Sequence, residues 1–127
     1  MKTRKTILVA EDNKLIRNSL IDFLMNEGFG VIAAKNGAAA FMLTLEFMPD
    51  LIFSDIHMPV MNGMELLEKL KTDPCTSFIP LIFLTADVDF RELKTGIPKG
   101  AAGCILKPFT FSEILRAISI HLPDDGI

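Results

Sequence analysis

Four apolar runs in the chain each end in residues able to do chemistry. The run at 7–10 leads into Glu11 and Asp12, and the run beginning at Leu51 leads into Ser54 and Asp55. The run beginning at Pro80 leads into Thr85 and Ala86, and the run beginning at Cys104 leads into Lys107 and Pro108. A fifth run, 29–34, ends in Ala33 and Ala34 and offers nothing. Scattered surface charge has no reason to follow strand phase in this way. In open α/β sheets, ligands sit at the carboxyl ends of the strands, so these groups are expected along one edge. Three neighbouring carboxylates (Glu11, Asp12 and Asp55) repel one another. A hard dication such as Mg2+ relieves that repulsion and completes its shell with waters and phosphate oxygens. Lys107 adds a fixed positive charge and Thr85 a hydroxyl donor. An acid beside a metal ion and an amine is a candidate nucleophile toward a phosphoryl group, giving an acyl phosphate.

The elements that must position these groups are legible in the pattern. The apolar runs are short and β-branched, as strands buried on both faces are. Each gap between them is long enough for a crossover helix. Ile16, Leu20, Phe23 and Leu24 form a stripe at helical spacing, with Gly28 as its stop. Phe41, Leu45 and Met48 form a second stripe from an Asn36 cap, ending before Pro49. Asn62 caps a third helix, with Glu65 three residues on and Met64, Leu67 and Leu70 facing inward. Thr110 and Glu113 form a capping box for the last helix, whose stripe is Phe111, Ile114, Leu115 and Ile118 and whose stop is Pro123. The segment 87–99 is the weak case: Gly96 and Pro98 make any helix there short, frayed or kinked. Strand and helix alternate throughout, which predicts a doubly wound α/β domain with a parallel sheet and helices on both faces.

Composition narrows the class. The chain has 127 residues, 50% of them hydrophobic, and a net charge of −3. That length suits one domain, and that hydrophobic fraction excludes disorder. The mildly acidic balance argues against direct nucleic-acid binding by bulk electrostatics. No apolar run has the length of a membrane span or of a signal-peptide core. The expected address is therefore cytoplasmic. Cys75 and Cys104 are too few for a disulfide scaffold and read as reduced thiols.

Taken together, several stretches resemble a known family. They are 7–13 (Ile-Leu-Val-Ala-Glu-Asp-Asn), 49–63 (Pro-Asp-Leu-Ile-Phe-Ser-Asp-Ile-His-Met-Pro-Val-Met-Asn-Gly), 79–86 (Ile-Pro-Leu-Ile-Phe-Leu-Thr-Ala), Gly100-Ala101 and Lys107-Pro108-Phe109. In this order and spacing the chain is similar to the response-regulator receiver domains of two-component signalling, including the chemotaxis regulator. The resemblance spans essentially the whole chain, and the stretch from Asp55 to Gly63 is its most specific part. It implies a single receiver domain over 1–127, with an ordered core of about 5–122. It also implies a five-stranded parallel sheet in the flavodoxin-like order 2-1-3-4-5.

The resemblance further implies roles. Asp55 accepts the phosphoryl group. Asp12 and Asp55 hold Mg2+ directly, the backbone carbonyl of His57 is a further ligand, and Glu11 acts mainly through water. Thr85 and Lys107 bind the phosphoryl oxygens, with the Lys107–Pro108 bond cis, and Ala86 is the small residue the site requires. The His57 side chain and Asp87 are rate-tuning positions. Cys104 departs from the pattern: it stands where the family has a switching Tyr or Phe, on the face that Gly96 and Pro98 also alter. An order–disorder change in 87–99 is the corresponding expectation for output. The implied partners are a sensor histidine kinase or phosphotransfer protein as donor, and a target protein or output domain downstream. The chain is expected as a monomer or weak dimer, either standing alone or as one module of a larger regulator or hybrid kinase.

Bland readings exist for each residue singly. Asp55 could be a loop carboxylate, Lys107 a solvated lysine, and Glu11 and Asp12 mere favourable charges at a helix start. Their joint phase favours a site. Three rivals follow: a receiver-like binding module that no longer switches, an aspartate-nucleophile phosphatase and a flavodoxin-like electron carrier. The phosphatase wants a second acid where His57 stands. The electron carrier wants a hydroxyl- and glycine-rich loop where Glu11 and Asp12 stand.

Overall fold

The computed structural model describes residues 4–86 and 99–122. The elements run β1 (Thr6–Ala10), α1 (Lys14–Asn26), β2 (Gly30–Ala34), α2 (Gly37–Phe47), β3 (Leu51–Asp55), α3 (Gly63–Thr72), β4 (Leu81–Thr85), β5 (Gly103–Leu106) and α4 (Phe111–His121). The expected weak helix at 87–99, with Gly96 and Pro98, falls outside the described residues except for Lys99. So do Asp87 and residues 123–127, which lie past the expected ordered core of about 5–122.

All strand pairs are parallel and the order is β2-β1-β3-β4-β5. The three inner strands are buried along nearly their whole length, which explains why their sequences read as continuous apolar runs rather than alternating ones. Alternate residues feed two cores. Leu8, Ala10, Ile52, Leu81 and Phe83 pack with Ala40 of α2 and Leu66, Leu67 and Leu70 of α3. Ile7, Val9, Leu51, Phe53, Ile82 and Leu84 pack with Leu20 and Leu24 of α1 and Ile114 and Ile118 of α4. Thus α1 and α4 cover one face while α2 and α3 cover the other. The chain changes face between β1 and β3, and this topological switch point opens a crevice at the carboxyl ends of those two strands.

Every described helix begins with a side-chain cap. Asn36, Asn62 and Thr110 accept N–H bonds from Ala39, Glu65 and Glu113, and the last two are full capping boxes. Asn13, which the sequence pattern did not single out as a cap, accepts from Ile16 N–H at 3.1 Å.

The inward face of α2 differs from expectation. Its buried residues are Gly37, Ala40 and Thr44, whereas Leu45 and Met48 are each 40% exposed. A helix apolar on nearly all sides carries no periodic signal, so the small face that fits against the sheet could not be picked out. Met64 of α3 is likewise exposed, and Leu66 takes the inward place beside Leu67 and Leu70.

The loop from β3 to α3 is tightly held. Gly63 N–H donates to Ile56 O at 2.8 Å, and Gly37 N–H donates to Met61 O at 2.8 Å. A Cβ on Gly63 would strike the Asp55 carbonyl, and one on Gly37 would strike the Met61 carbonyl. Both glycines therefore serve close backbone approach. Met61 N–H donates to Pro59 O at 2.7 Å across Val60, whose φ is 69°. That is a γ-turn with a β-branched residue at positive φ, an uncommon and strained arrangement.

Two substitutions test this account of the loop. Gly63→Ala forces the Asp55 carbonyl to move and is expected to cost roughly 1–3 kcal/mol. Val60→Gly relieves the positive φ and is expected to stabilise the fold by about 1 kcal/mol. Urea midpoints followed by far-UV circular dichroism read both, and a stabilised Gly63→Ala or a destabilised Val60→Gly would contradict it.

Candidate functional site

The crevice between β1 and β3 gathers the charged groups. Glu11 directly follows β1, and its N–H donates to Ala34 O of β2 at 3.0 Å, so its backbone continues the sheet. Asp55 is the last residue of β3. Glu11, Asp12 and Asp55 each offer a carboxylate oxygen, and these lie within 4.8 Å of one another. Glu11 is fully buried, Asp55 is nearly so and Asp12 is exposed.

Lys107 enters from beyond β5. Its N–H donates to Thr85 O at 2.8 Å, which ties the residue to the end of β4. Its Nζ lies 2.7 Å from Glu11 Oε1 and 3.0 Å from Asp55 Oδ2. The following Lys107–Pro108 bond is cis. The remaining carboxylate oxygens are engaged as well. Ile56 N–H donates to Asp55 Oδ1 at 2.7 Å, and Asn13 N–H donates to Glu11 Oε2 at 3.1 Å. Asp55 is therefore fixed in one orientation by a backbone donor on one oxygen and an ammonium on the other.

Thr85 is fully buried at the end of β4, and Ala86 follows it, exposed. His57, two residues past Asp55, is exposed. Cys104 lies on β5 opposite Phe83, half-buried against the α2–α3 core. Burial pushes its thiol up, and both cysteines are free. Asp87 lies outside the described residues.

Three residues near the site escaped the reading of the sequence. Asn13 caps α1 and donates its N–H to Glu11. Gly37 joins α2 to the Asp55 loop. Arg17 Nη1 donates to Glu11 O at 2.8 Å and approaches Asp12 O at 3.4 Å. The spacing of Asn13 from Ile16 was the available signal for the cap. Nothing in residue spacing marks a side-chain bond to a backbone carbonyl.

The electrostatics follow from this packing. Burial pushes the Glu11 carboxyl up to about 7; the Lys107 and Asn13 hydrogen bonds pull it down, and the Asp55 charge adds to the rise. Burial works to lower the Lys107 ammonium, but its two carboxylate partners outweigh that and raise it. Lys107 therefore stays cationic while divided between two acids. A cluster of oxygen donors with more acid than ammonium suits a hard dication such as Mg2+. Glu11, Asp12 and Asp55 are the carboxylates that could hold such an ion.

A carboxyl whose pKa is about 7 in the folded protein, against 4.5 ordinarily, contributes stability that is full below pH 4.5 and is lost as the pH rises through about 7. In EDTA, the stability of the wild type relative to Glu11→Gln is therefore expected to fall across that window. Urea midpoints measured at several pH values check this, and parallel curves would refute it.

Comparison with known proteins agrees with this geometry. The family model for the response regulator receiver domain matches residues 7–119. A probable transcriptional regulator, ycf29 of Pyropia yezoensis, is 38% identical over 113 residues, covering 89% of this chain and 51% of that protein. The chain thus spans about half the length of that relative. The chemotaxis response regulator CheY4 of Vibrio cholerae matches with a TM-score of 0.85 at 28% identity, over 94% of this chain and 100% of that one. The response regulator TrrA of Thermotoga maritima, solved in complex with Mg2+ and BeF, matches with a TM-score of 0.82 at 29% identity, over 93% of this chain and 99% of that one. With a parallel sheet in the order 2-1-3-4-5, an acidic crevice at its switch point and this match over nearly its whole length, the chain belongs to the response-regulator receiver family.

Proposed function

We propose that the chain is a phosphorylation-dependent signalling switch whose phosphoryl acceptor is Asp55. The observation that carries this reading is the state of Asp55. It is a nearly buried carboxylate at the switch point, with Lys107 Nζ 3.0 Å away and two further acids beside it.

The chemistry is in-line displacement. A carboxylate oxygen of Asp55 attacks the phosphorus of a phospho-His donor; the P–N bond breaks, an O–P bond forms and the imidazole leaves with the electron pair. The Ile56 N–H holds the carboxylate in its attacking orientation. Lys107 pairs with the carboxylate beforehand and with phosphoryl oxygens afterwards. The Thr85 hydroxyl donates to a phosphoryl oxygen, and Ala86 leaves space for the group. Asp12, Asp55 and the His57 carbonyl, with Glu11 through water, would hold Mg2+, which would supply charge neutralisation at the transferring oxygens. Hydrolysis returns Asp55 to a carboxylate, and the His57 side chain and Asp87 are the positions that tune its rate.

The phosphotransfer partner in this proposal is a sensor histidine kinase or phosphotransfer protein. The catalysis of the chain itself is limited to Mg2+-dependent self-phosphorylation and dephosphorylation. A single domain over 1–127, a cytoplasmic address, a monomeric or weakly dimeric state and the absence of direct nucleic-acid contact belong to the same proposal. Among the described residues no helix is long and apolar enough to cross a membrane. Cys104, half-buried and without a ring, favours a route to the output face other than inward rotation of an aromatic side chain.

The test is the intact mass after incubation with acetyl phosphate, with and without Mg2+, beside Asp55→Asn. A Mg2+-dependent gain of one phosphoryl group is expected in the wild type, with none in the folded variant. A variant labelled as fast as the wild type would overturn the assignment. Failure of the wild type to bind either Mg2+ or beryllofluoride would replace the switch with a constitutive binding module.

A further inference from the structure

Arg17 of α1 does not touch the carboxylates, yet it is bonded to the backbone that carries two of them. Its Nη1 donates to Glu11 O at 2.8 Å and lies 3.4 Å from Asp12 O. The same residue's N–H donates to Asn13 O at 2.9 Å, which begins the helix. Asn13 in turn caps α1 through Ile16 N–H, while its own N–H donates to Glu11 Oε2. The first turn of α1 therefore closes on the loop 11–13 through three hydrogen bonds.

These bonds divide the work of holding the loop. The Glu11 side chain is fixed at one end by Lys107 and Asn13. Its main chain is fixed on one side by Ala34 O, which accepts the Glu11 N–H, and on the other by Arg17. Asp12 has no such enclosure. It is exposed and follows directly on the Glu11 peptide, so the plane of that peptide sets where its carboxylate stands relative to Asp55. Arg17 is the side chain that fixes that plane from below.

We infer that Arg17 is a positioning residue for Mg2+, holding the Glu11–Asp12 backbone so that the Asp12 carboxylate stands within reach of Asp55. The inference rests on the Mg2+-binding reading above and adds a residue to it. Its sign is distinctive. Arg17 is a cation beside a cation site, so electrostatics alone make its removal tighten Mg2+ binding. Positioning makes its removal weaken it, and loss of such a supporting hydrogen bond commonly costs about 10–100-fold in metal affinity.

The experiment is a Mg2+ titration of the full chain by calorimetry, comparing wild type, Arg17→Gln and Lys14→Gln. Lys14 is an exposed cation on the same helical turn, so its variant reports the loss of charge alone. Arg17→Gln is expected to bind Mg2+ at least about tenfold more weakly than wild type, with Lys14→Gln unchanged or tighter. At saturating Mg2+, phosphorylation of Arg17→Gln by acetyl phosphate is expected to return close to the wild-type rate, because the acceptor Asp55 is held by Ile56 and Lys107 instead. Equal or tighter Mg2+ binding by a folded Arg17→Gln would overturn the inference while leaving the receiver reading intact. Absence of Mg2+ binding by the wild type would overturn both. Should Arg17→Gln fail to fold, Arg17→Lys keeps the charge but shortens the reach to Glu11 O, and is held to the same comparison.

Discussion

The ammonium of Lys107, shared between Glu11 and Asp55, is the constraint on which the rest of the site depends. These partners are 96 and 52 residues away in sequence and stand at the ends of different strands. The bridge exists only if β5 lies beyond β4, β4 beside β3 and β3 beside β1, each in parallel register. A buried carboxylate without such a partner would be neutralised rather than left charged. One lysine cannot fully compensate two acids with a third nearby. Carboxylates thus outnumber the ammonium in the cluster, and that excess of oxygen donors suits a hard cation.

The switch-point crevice makes this arrangement available. Because α1 packs on one face and α3 on the other, none of the described helices covers the carboxyl ends of β1 and β3. The acids can thus be buried from the side and still open to a ligand from above. The loop after Asp55 is then held down by contacts that leave no room for side chains, at Gly63 against Asp55 and at Gly37 against Met61. Strain at Val60 belongs to the same compression, since the chain turns within one residue to reach the start of α3.

Much of this was legible beforehand. The strands announced themselves because both faces of the inner ones are buried, and buried parallel strands read as unbroken apolar runs. The caps at Asn36, Asn62 and Thr110 were legible because capping is local chemistry. The acids, Thr85 and Lys107 were legible as a set because each follows an apolar run directly. The inward face of α2 was not: Ala40 and Thr44 face the core while Leu45 and Met48 face outward, and hydrophobicity alone cannot rank the sides of a helix apolar all round. Arg17 was not legible either, because its partners are backbone carbonyls, which every residue possesses.

What the sequence by itself determined was the kind of site: which residue types stand at which strand ends, and hence three acids, a hydroxyl and an amine on one edge of a parallel sheet. Those properties follow from local periodicity and from a topology that has few alternatives. What only the tertiary structure decided was the division of labour within the set. Glu11 is buried and bound to Lys107, Asp12 is exposed, and Asp55 is gripped on both oxygens. Adjacent acids such as Glu11 and Asp12 are chemically alike as letters. They differ because successive residues leaving a strand point to opposite sides, and only the packed neighbours determine which side is dry.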